Sequence, residues 1–283
     1  MINQAKTVIL LASLTALLLF VGQMLGGYGG LVIAVFFVLI FNGVSYFWSH
    51  KIVLMMYKAK QVDEKHAPRL YKLVREVVNK ANIPMPKVYI VPSNNANAFA
   101  TGRNPEHGIV ACTKGILNLL DDEELKGVIA HECSHIKNRD ILIQTIAGMI
   151  AGVISYVAIM ARWGAIFGGF GRDRDSGNLI QLLVLGILTP IIAMLIQLAI
   201  SRSREYLADE SAAKILGTSS GLTSALAKLS NNAKQHPMQI GNQSTAHLFI
   251  VNPFKGGFIL SLLSTHPPMN KRIQRLKSMD YKQ

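Results

Sequence analysis

The stretch "VIAHECSHIKNRD", residues 128–140, runs straight into "ILIQTIAGMIAGVISYVAIM", residues 141–160. The first holds two histidines four residues apart, with a glutamate directly after the first of them. The second has no charged side chain at all. On an α-helix, positions four apart differ by only about 40° in direction. His131 and His135 therefore present two imidazoles to one point. Glu132 lies about 100° round from His131, close to that point without being aimed at it. Two histidines holding a metal ion, with a glutamate as base on the water it activates, need this spacing. The competing reading is a pair of surface histidines on an ordinary helix. Zn²⁺, redox-inert and undemanding in geometry, suits such a site best, at one ion per chain.

A catalytic zinc needs a third protein ligand and an open position for water and substrate. Further along, "SRSREYLADES", residues 201–211, offers Glu205, with Asp209 one helical turn on. Glu205 can ligate while Asp209 orients a ligand imidazole through its free ring N–H. Both candidate ligand segments abut long apolar runs.

Those runs bound the class of protein. Of the 283 residues, 50% are hydrophobic and 16% charged, against roughly 25% charged in an average soluble chain. Four windows, Val8–Gly26, Leu31–Ser49, Ile141–Met160 and Leu179–Ile200, contain no Asp, Glu, Lys or Arg. Each is long enough to cross a hydrocarbon core of ~30 Å, and uncharged runs of this length are unusual in soluble cores. The first exceeds the roughly 7–15 apolar residues of a signal peptide and has no small-x-small cleavage site. The predicted organisation is therefore a transmembrane hairpin over 1–50 and a first polar segment over 51–140. A second hairpin over 141–200 and a second polar segment over 201–283 follow.

The formal net charge of +13 raises nucleic acid as a partner, but the positive residues sit where a membrane protein places them. Lys6 precedes the first window, Lys51, Lys58 and Lys60 follow the second, and Arg202 and Arg204 follow the fourth. The turn "GGYGG", residues 26–30, carries no charge. This asymmetry puts the N-terminus and the polar segments in the cytoplasm. After Glu210 the only acid is Asp280, and attraction to anionic lipid accounts for so basic a C-terminal region. With no basic stripe interleaved with aromatics, no nucleic-acid partner is expected. The two cysteines, Cys112 and Cys133, lack the spacing of a thiolate metal site and form no disulfide framework, which fits a reducing compartment.

Within the polar segments, "HAPRLYKLVREVVNKANIP" (66–84) reads as an amphipathic helix with Pro68 in its first turn. "KVYIV" (87–91) and "HGIVACT" (107–113) read as short strands with "NANAFATG" (95–102) between them as a third. "DDEELKGVIAHECSHIKN" (121–138) opens with Asp121 three before Glu124, a capping-box signal, so a helix carries the histidines. "REYLADESAAKIL" (204–216) and "GLTSALAKLSNNA" (221–233) read as helices beyond the fourth window. "AHLFIV" (246–251) reads as a strand, and a last helix follows "THPP" (265–268). The glycine-rich "GGFGRDRDSGN" (168–178) reads as a connector between the third and fourth windows.

Together, "HECSHIKNRD" and "SREYLAD" resemble the HExxH…ExxxD pattern of glutamate-type zinc metallopeptidases. Their setting among four apolar spans resembles the HtpX family of membrane heat-shock proteases, relatives of the CAAX prenyl endopeptidases. "NAFATG" and "STHPPMNKRI" extend the likeness over nearly the whole chain. By matching positions, the resemblance implies His131, His135 and Glu205 as zinc ligands, Glu132 as catalytic base and Asp209 as the residue behind a ligand. It further implies that Asn97, Ala98, Phe99 and Ala100 form an edge strand that binds substrate by strand addition. His266 is a candidate oxyanion donor, although "THPP" is equally a helix-start signal; Arg272 is a weaker candidate.

The expected fold is α+β, mostly α-helical, a zincin-like HExxH protease domain on a four-helix transmembrane anchor. The expected function, as the resemblance implies it, is hydrolysis of internal peptide bonds in misfolded or damaged membrane proteins, a quality-control and stress-response role. The location is the plasma (inner) membrane, multi-pass, with the site on the cytoplasmic side. The alternatives are a CAAX-type prenyl-protein processing endopeptidase, sharing every site residue, and a catalytically silent membrane scaffold. Oligomeric state is not legible.

Overall fold

The computed structural model describes residues 2–102, 104–168, 176–235, 250 and 265–279. The chain divides into two compact units, one of Met1–Phe47 with Ile143–Ser201 and the other of Trp48–Leu142 with Arg202–Gln283.

The first unit is built from long apolar helices. Helix α1, Ile2–Met56, breaks at Gly27, whose φ of 55° and ψ of −157° take it out of the helical region and leave a helical arm on either side. Helix α5, Asp140–Gly168, and helix α6, Ser176–Leu216, are shared by chain with the second unit. The interior of the first unit pairs Leu14 and Leu18 with small residues, Ala147, Ala151 and Ala193, beside Ile154 and Ile200. Among the described residues, Asp140–Ile159 and Gly186–Leu216 are the two helical stretches long and apolar enough to cross a membrane, with Val8–Val21 a shorter apolar helix. A four-span anchor is thus not what the described residues establish; most side chains of the 31–49 window lie outside them.

The second unit holds a four-stranded sheet in the order β1-β2-β4-β3. The strands are β1, Lys60–Gln61, β2, Lys87–Val91, β3, Ala98–Thr101, and β4, Ile109–Thr113. Strand β2 runs parallel to β4, whereas β1 is antiparallel to β2 and β3 antiparallel to β4, with Ala98 opposite Cys112 and Ala100 opposite Val110. After β3 the chain turns at Gly102, whose φ of +126° and close approach to the His107 carbonyl exclude a side chain.

Helix α2, Pro68–Ala81, packs Leu70, Leu73, Val74, Val77 and Val78 into the core. Its C-terminus stops at Asn82, left-handed with φ 53°, just ahead of Ile83-Pro84. A short helix α3, Lys114–Leu119, capped by Thr113, was not legible as an element. Helix α4, Asp122–Lys137, begins in a complete capping box between Asp121 and Glu124 and is buried on almost every side. Helix α7, Ser220–Gln235, lies against it so closely that a Cβ on Gly127 would stand 2.5 Å from the Leu222 backbone nitrogen. Helix α8, Met269–Lys277, contributes Leu276 to the same core.

One expected boundary needs correction. The helix carrying Glu205 does not begin anew after the fourth window but continues it as a single α6. No glycine or proline falls between Gln197 and Leu216 to end the helix, and Pro190 further back is accommodated inside it. The strand expected at 246–251 lies, but for Ile250, outside the described residues, as does most of the 168–178 connector.

Candidate metal centre

Helix α4 supplies His131 and His135 from one face, and α6 brings Glu205 to them. The Nε2 atoms of the two histidines are 3.2 Å apart. His131 Nε2 lies 3.6 Å from one Glu205 oxygen and His135 Nε2 3.4 Å from the other. Three donors bound at ~2.1 Å to one tetrahedral ion stand about 3.4 Å from one another. These separations are of that size, the two histidines facing different oxygens of one carboxylate, and one donor atom from each of the three residues lies within 4.8 Å of the others.

The ring nitrogens facing away are also engaged. His131 Nδ1 lies 3.0 Å from Asp209 and His135 Nδ1 2.6 Å from Asp140. With both Nδ1 protons donated to carboxylates, two Nε2 lone pairs point at each other; Arg272 approaches that of His131 at 3.3 Å, and a cation or a proton between the two rings satisfies both. Charge leads to the same conclusion. The carboxylates of Glu132, Glu205, Asp209 and Asp140 are buried together with the guanidiniums of Arg272 and Arg204, two positive charges short of neutrality. A divalent ion cancels the difference. Glu205 Oε2 accepts no aligned hydrogen bond, although His266 Nδ1 lies 2.9 Å and Arg272 3.2 Å away. The donor set therefore fits a metal ion. Without one, protons take its place: burial and Arg272 depress the His131 imidazole, but Asp209 and Glu205 outweigh them and hold it at about 9. Metal binding displaces such protons.

Glu132 is 5% exposed. Burial pushes its carboxyl above the ordinary carboxylate range, against the pull of His131 and His135, and the Ala100 backbone hydrogen-bonds to it. Strand β3 thus runs beside the candidate base. Its members are themselves enclosed: Asn97 Oδ1 accepts from the Ile250 N–H, Ala98 and Phe99 are buried, and Ala100 is half-buried. Cys133, on α4 but turned from the histidine face, is a buried free thiol, as is Cys112, which burial pushes up to about 12.

The profile of Peptidase family M48 matches residues 64–280. The chain belongs to peptidase family M48. Among its relatives, the Protease HtpX homolog of Desulforapulum autotrophicum is 53% identical over 277 residues, covering 97% of this chain and 89% of that protein. Those of Syntrophobacter fumaroxidans and Pyrococcus furiosus are 51% and 52% identical, covering 98% and 97% of this chain and 99% and 95% of theirs. The crystal structure of Ste24p from S. mikatae shares the fold, with a TM-score of 0.60 at 19% identity. That match takes in 94% of this chain and 62% of the Ste24p chain. This M48 peptidase is thus a metalloprotease of the HtpX type.

Two residues of the cluster, Asp140 and Arg204, escaped the sequence reading of the site, and Arg272 entered it only as an oxyanion candidate. Asp140 holds His135, Arg204 holds Asp140, and Arg272 forks onto Asp209 at 2.7 and 2.9 Å. Arg272 is fully buried and, besides Asp209, reaches Glu205 at 3.2 Å and His131 Nε2 at 3.3 Å. The signal available was the acid closing "HECSHIKNRD" five residues after His135.

Proposed function

We propose that this M48 peptidase is a zinc endopeptidase that cleaves unfolded or damaged membrane polypeptides. Its apolar unit anchors it in the plasma (inner) membrane through four spans, with the site on the cytoplasmic side. The observation that carries the reading is the buried triangle of His131, His135 and Glu205 with Glu132 beside it. These three would hold one Zn²⁺, with Asp209 fixing the ring of His131. When bound, the ion supplies Lewis acidity toward the scissile carbonyl and makes water a nucleophile near neutral pH. Glu132 accepts the proton of the attacking water and passes it to the leaving amine, a role for which its raised carboxyl is suited. His266, 15% exposed at its side chain, is assigned to the oxyanion. The segment 97–100 takes the substrate as an added strand: β3 pairs on one side with β4 and meets Glu132 through Ala100.

Two observations support the membrane reading. Large apolar side chains of the first unit face outward, Val8 at 66% and Leu195 at 52% exposure. Exposed Ser13 and Thr15 return their hydroxyls to the carbonyls of Ile9 and Leu11, so that both are paired within their own helix, as hydrocarbon requires. Lipid is accordingly a partner in this reading.

Purified protein loaded with Zn²⁺ should cleave an unfolded polypeptide and stop on chelation. The shared fold with Ste24p favours CAAX-type processing as second reading; cleavage confined to prenylated C-terminal peptides would establish it instead. A zinc-loaded protein inactive on both substrates would be a scaffold. Tyr28→Cys and Lys60→Cys, each in a cysteine-free background, should label from opposite faces of intact membranes. Labelling from one face would overturn the topology.

A further inference from the structure

The two candidate histidine ligands are each backed by an acid, and each acid by a buried arginine. Behind His131 stand Asp209 and Arg272; behind His135 stand Asp140 and Arg204. We propose that Asp140 and Arg204 are positioning residues of the metal centre, with Arg204 acting through Asp140 to fix the tautomer and angle of His135. This rests on the reading of His135 as a ligand.

Local geometry shows how the pair is assembled. Helix α4 ends at Asn138, and Arg139 then adopts φ 54°, a left-handed conformation that is uncommon for a residue with a side chain. Strain of this kind persists only where surrounding structure holds it in place. Here it turns the chain so that Asp140, first residue of α5, comes back to His135. The work of the two carboxylate oxygens is divided. Oδ2 takes the His135 Nδ1 proton at 2.6 Å, while Oδ1 is held by the Arg204 guanidinium. Arg204 also donates to the Asn138 carbonyl at 3.0 Å, tying down the turn from its other end. Asp140 is 1% and Arg204 3% exposed, so the carboxylate has no water to turn to and its orientation is set by the guanidinium. On α6, Arg204 immediately precedes Glu205. One helical turn therefore grips the support of the second ligand and supplies the third.

A carboxylate on Nδ1 fixes a ligand imidazole's tautomer and raises its basicity, and removing such support typically lowers metal affinity ~10–100-fold. A neutral Asp140 substitute, or an Asp140 free to rotate, should therefore weaken the ion's hold without removing a ligand. The test uses full-length protein in detergent, loaded with Zn²⁺, with zinc affinity and the rate of zinc release to a chromophoric chelator as readouts. His135→Ala should abolish tight zinc binding. Asp140→Asn and Arg204→Gln should each release zinc ~10–100-fold faster, and the double variant no faster than the more severe single one, since one residue acts through the other. Arg204→Lys keeps the charge but loses the fork, so its release rate should fall between Arg204→Gln and wild type.

Release within twofold of wild type from folded Asp140→Asn and Arg204→Gln, while His135→Ala loses zinc, would overturn the positioning role and leave the ligand reading intact. Multiplying effects in the double variant would also overturn it, because the two residues would then act independently. If Arg204→Gln does not fold, Arg204→Lys decides: faster release supports the relay and a wild-type rate refutes it. Retention of zinc by His135→Ala would remove the ligand reading and the relay together.

Discussion

The two units of this protease use the same apolar alphabet in opposite ways. In the second, α2 buries Leu70, Leu73, Val74 and Val77 and turns Lys72, Arg75 and Lys80 outward. In the first, large side chains such as Ile9, Leu19 and Phe20 point out at 64%, 55% and 55% exposure, and inside, Ala147, Ala151 and Ala193 pack among leucine, valine and isoleucine side chains. Water drives the first kind of packing. It cannot drive the second in lipid, where van der Waals packing, helped by small residues that let helices approach, takes over. The contrast extends to charge: among the described residues, every buried ionisable side chain belongs to the second unit. There the acids outnumber the arginines around the candidate metal position, at a site that burial makes electrically sensitive.

Glu132→Gln tests that contrast most severely. The amide nearly preserves shape but cannot take a proton, so peptide cleavage should fall ~10²–10⁴-fold with the full zinc content retained by metal analysis. Substantial residual cleavage would remove Glu132 from its role. Next in size, Leu195→Asp places a charge on the outward face of the first unit. It should cost about 3 kcal/mol at a span centre and reduce the membrane-inserted fraction, whereas a soluble helix face would accept it. Lys72→Leu is its mirror on the exposed face of α2 and should shift stability by less than about 0.5 kcal/mol. If both substitutions are equally mild, the two units share one solvent.

Gly127→Ala attacks the second unit's own packing. The added methyl meets the backbone of Leu222, which cannot retreat as a side-chain end can, so a loss of about 1–3 kcal/mol is expected in thermal unfolding.

A comparable effect within the second unit is pH-dependent. Burial alone would raise the Glu124 carboxyl, but Lys228, Ser224 and the Asp121 backbone hold it below its ordinary value. A lowered folded-state pKa contributes stability above the unfolded value near ~4.3, and that contribution disappears as pH falls through the folded value. Glu124→Gln should therefore lose about 2 kcal/mol at pH 7, and its melting curve should converge on wild type in acid. A gap that persists at low pH would point to packing instead.

Local pattern was enough to read much of this. The short β-branched strand at 87–91, the amphipathic helix at 68–81 and the capping box at Asp121–Glu124 each arise from interactions a few residues apart. The spacing of His131 with His135, and of Glu205 with Asp209, is likewise a property of one helical turn. Strand β1, at two residues, is too short to carry a pattern and exists because β2 offers it an edge. The unbroken α6 escaped because a change from apolar to polar composition resembles a helix end when the backbone carries no stop signal.

By itself the sequence determined the helices that carry the site, which face of α2 is apolar and which residues could hold a metal, since all of these follow from spacing along the chain. Tertiary structure alone decided how those residues are held. Arg204 meets Asp140 across 64 positions and Arg272 meets Asp209 across 63, and no periodicity encodes such a partner. A buried carboxylate must find a positive charge when water is excluded, but which arginine supplies it depends on where the folded helices bring the chain together.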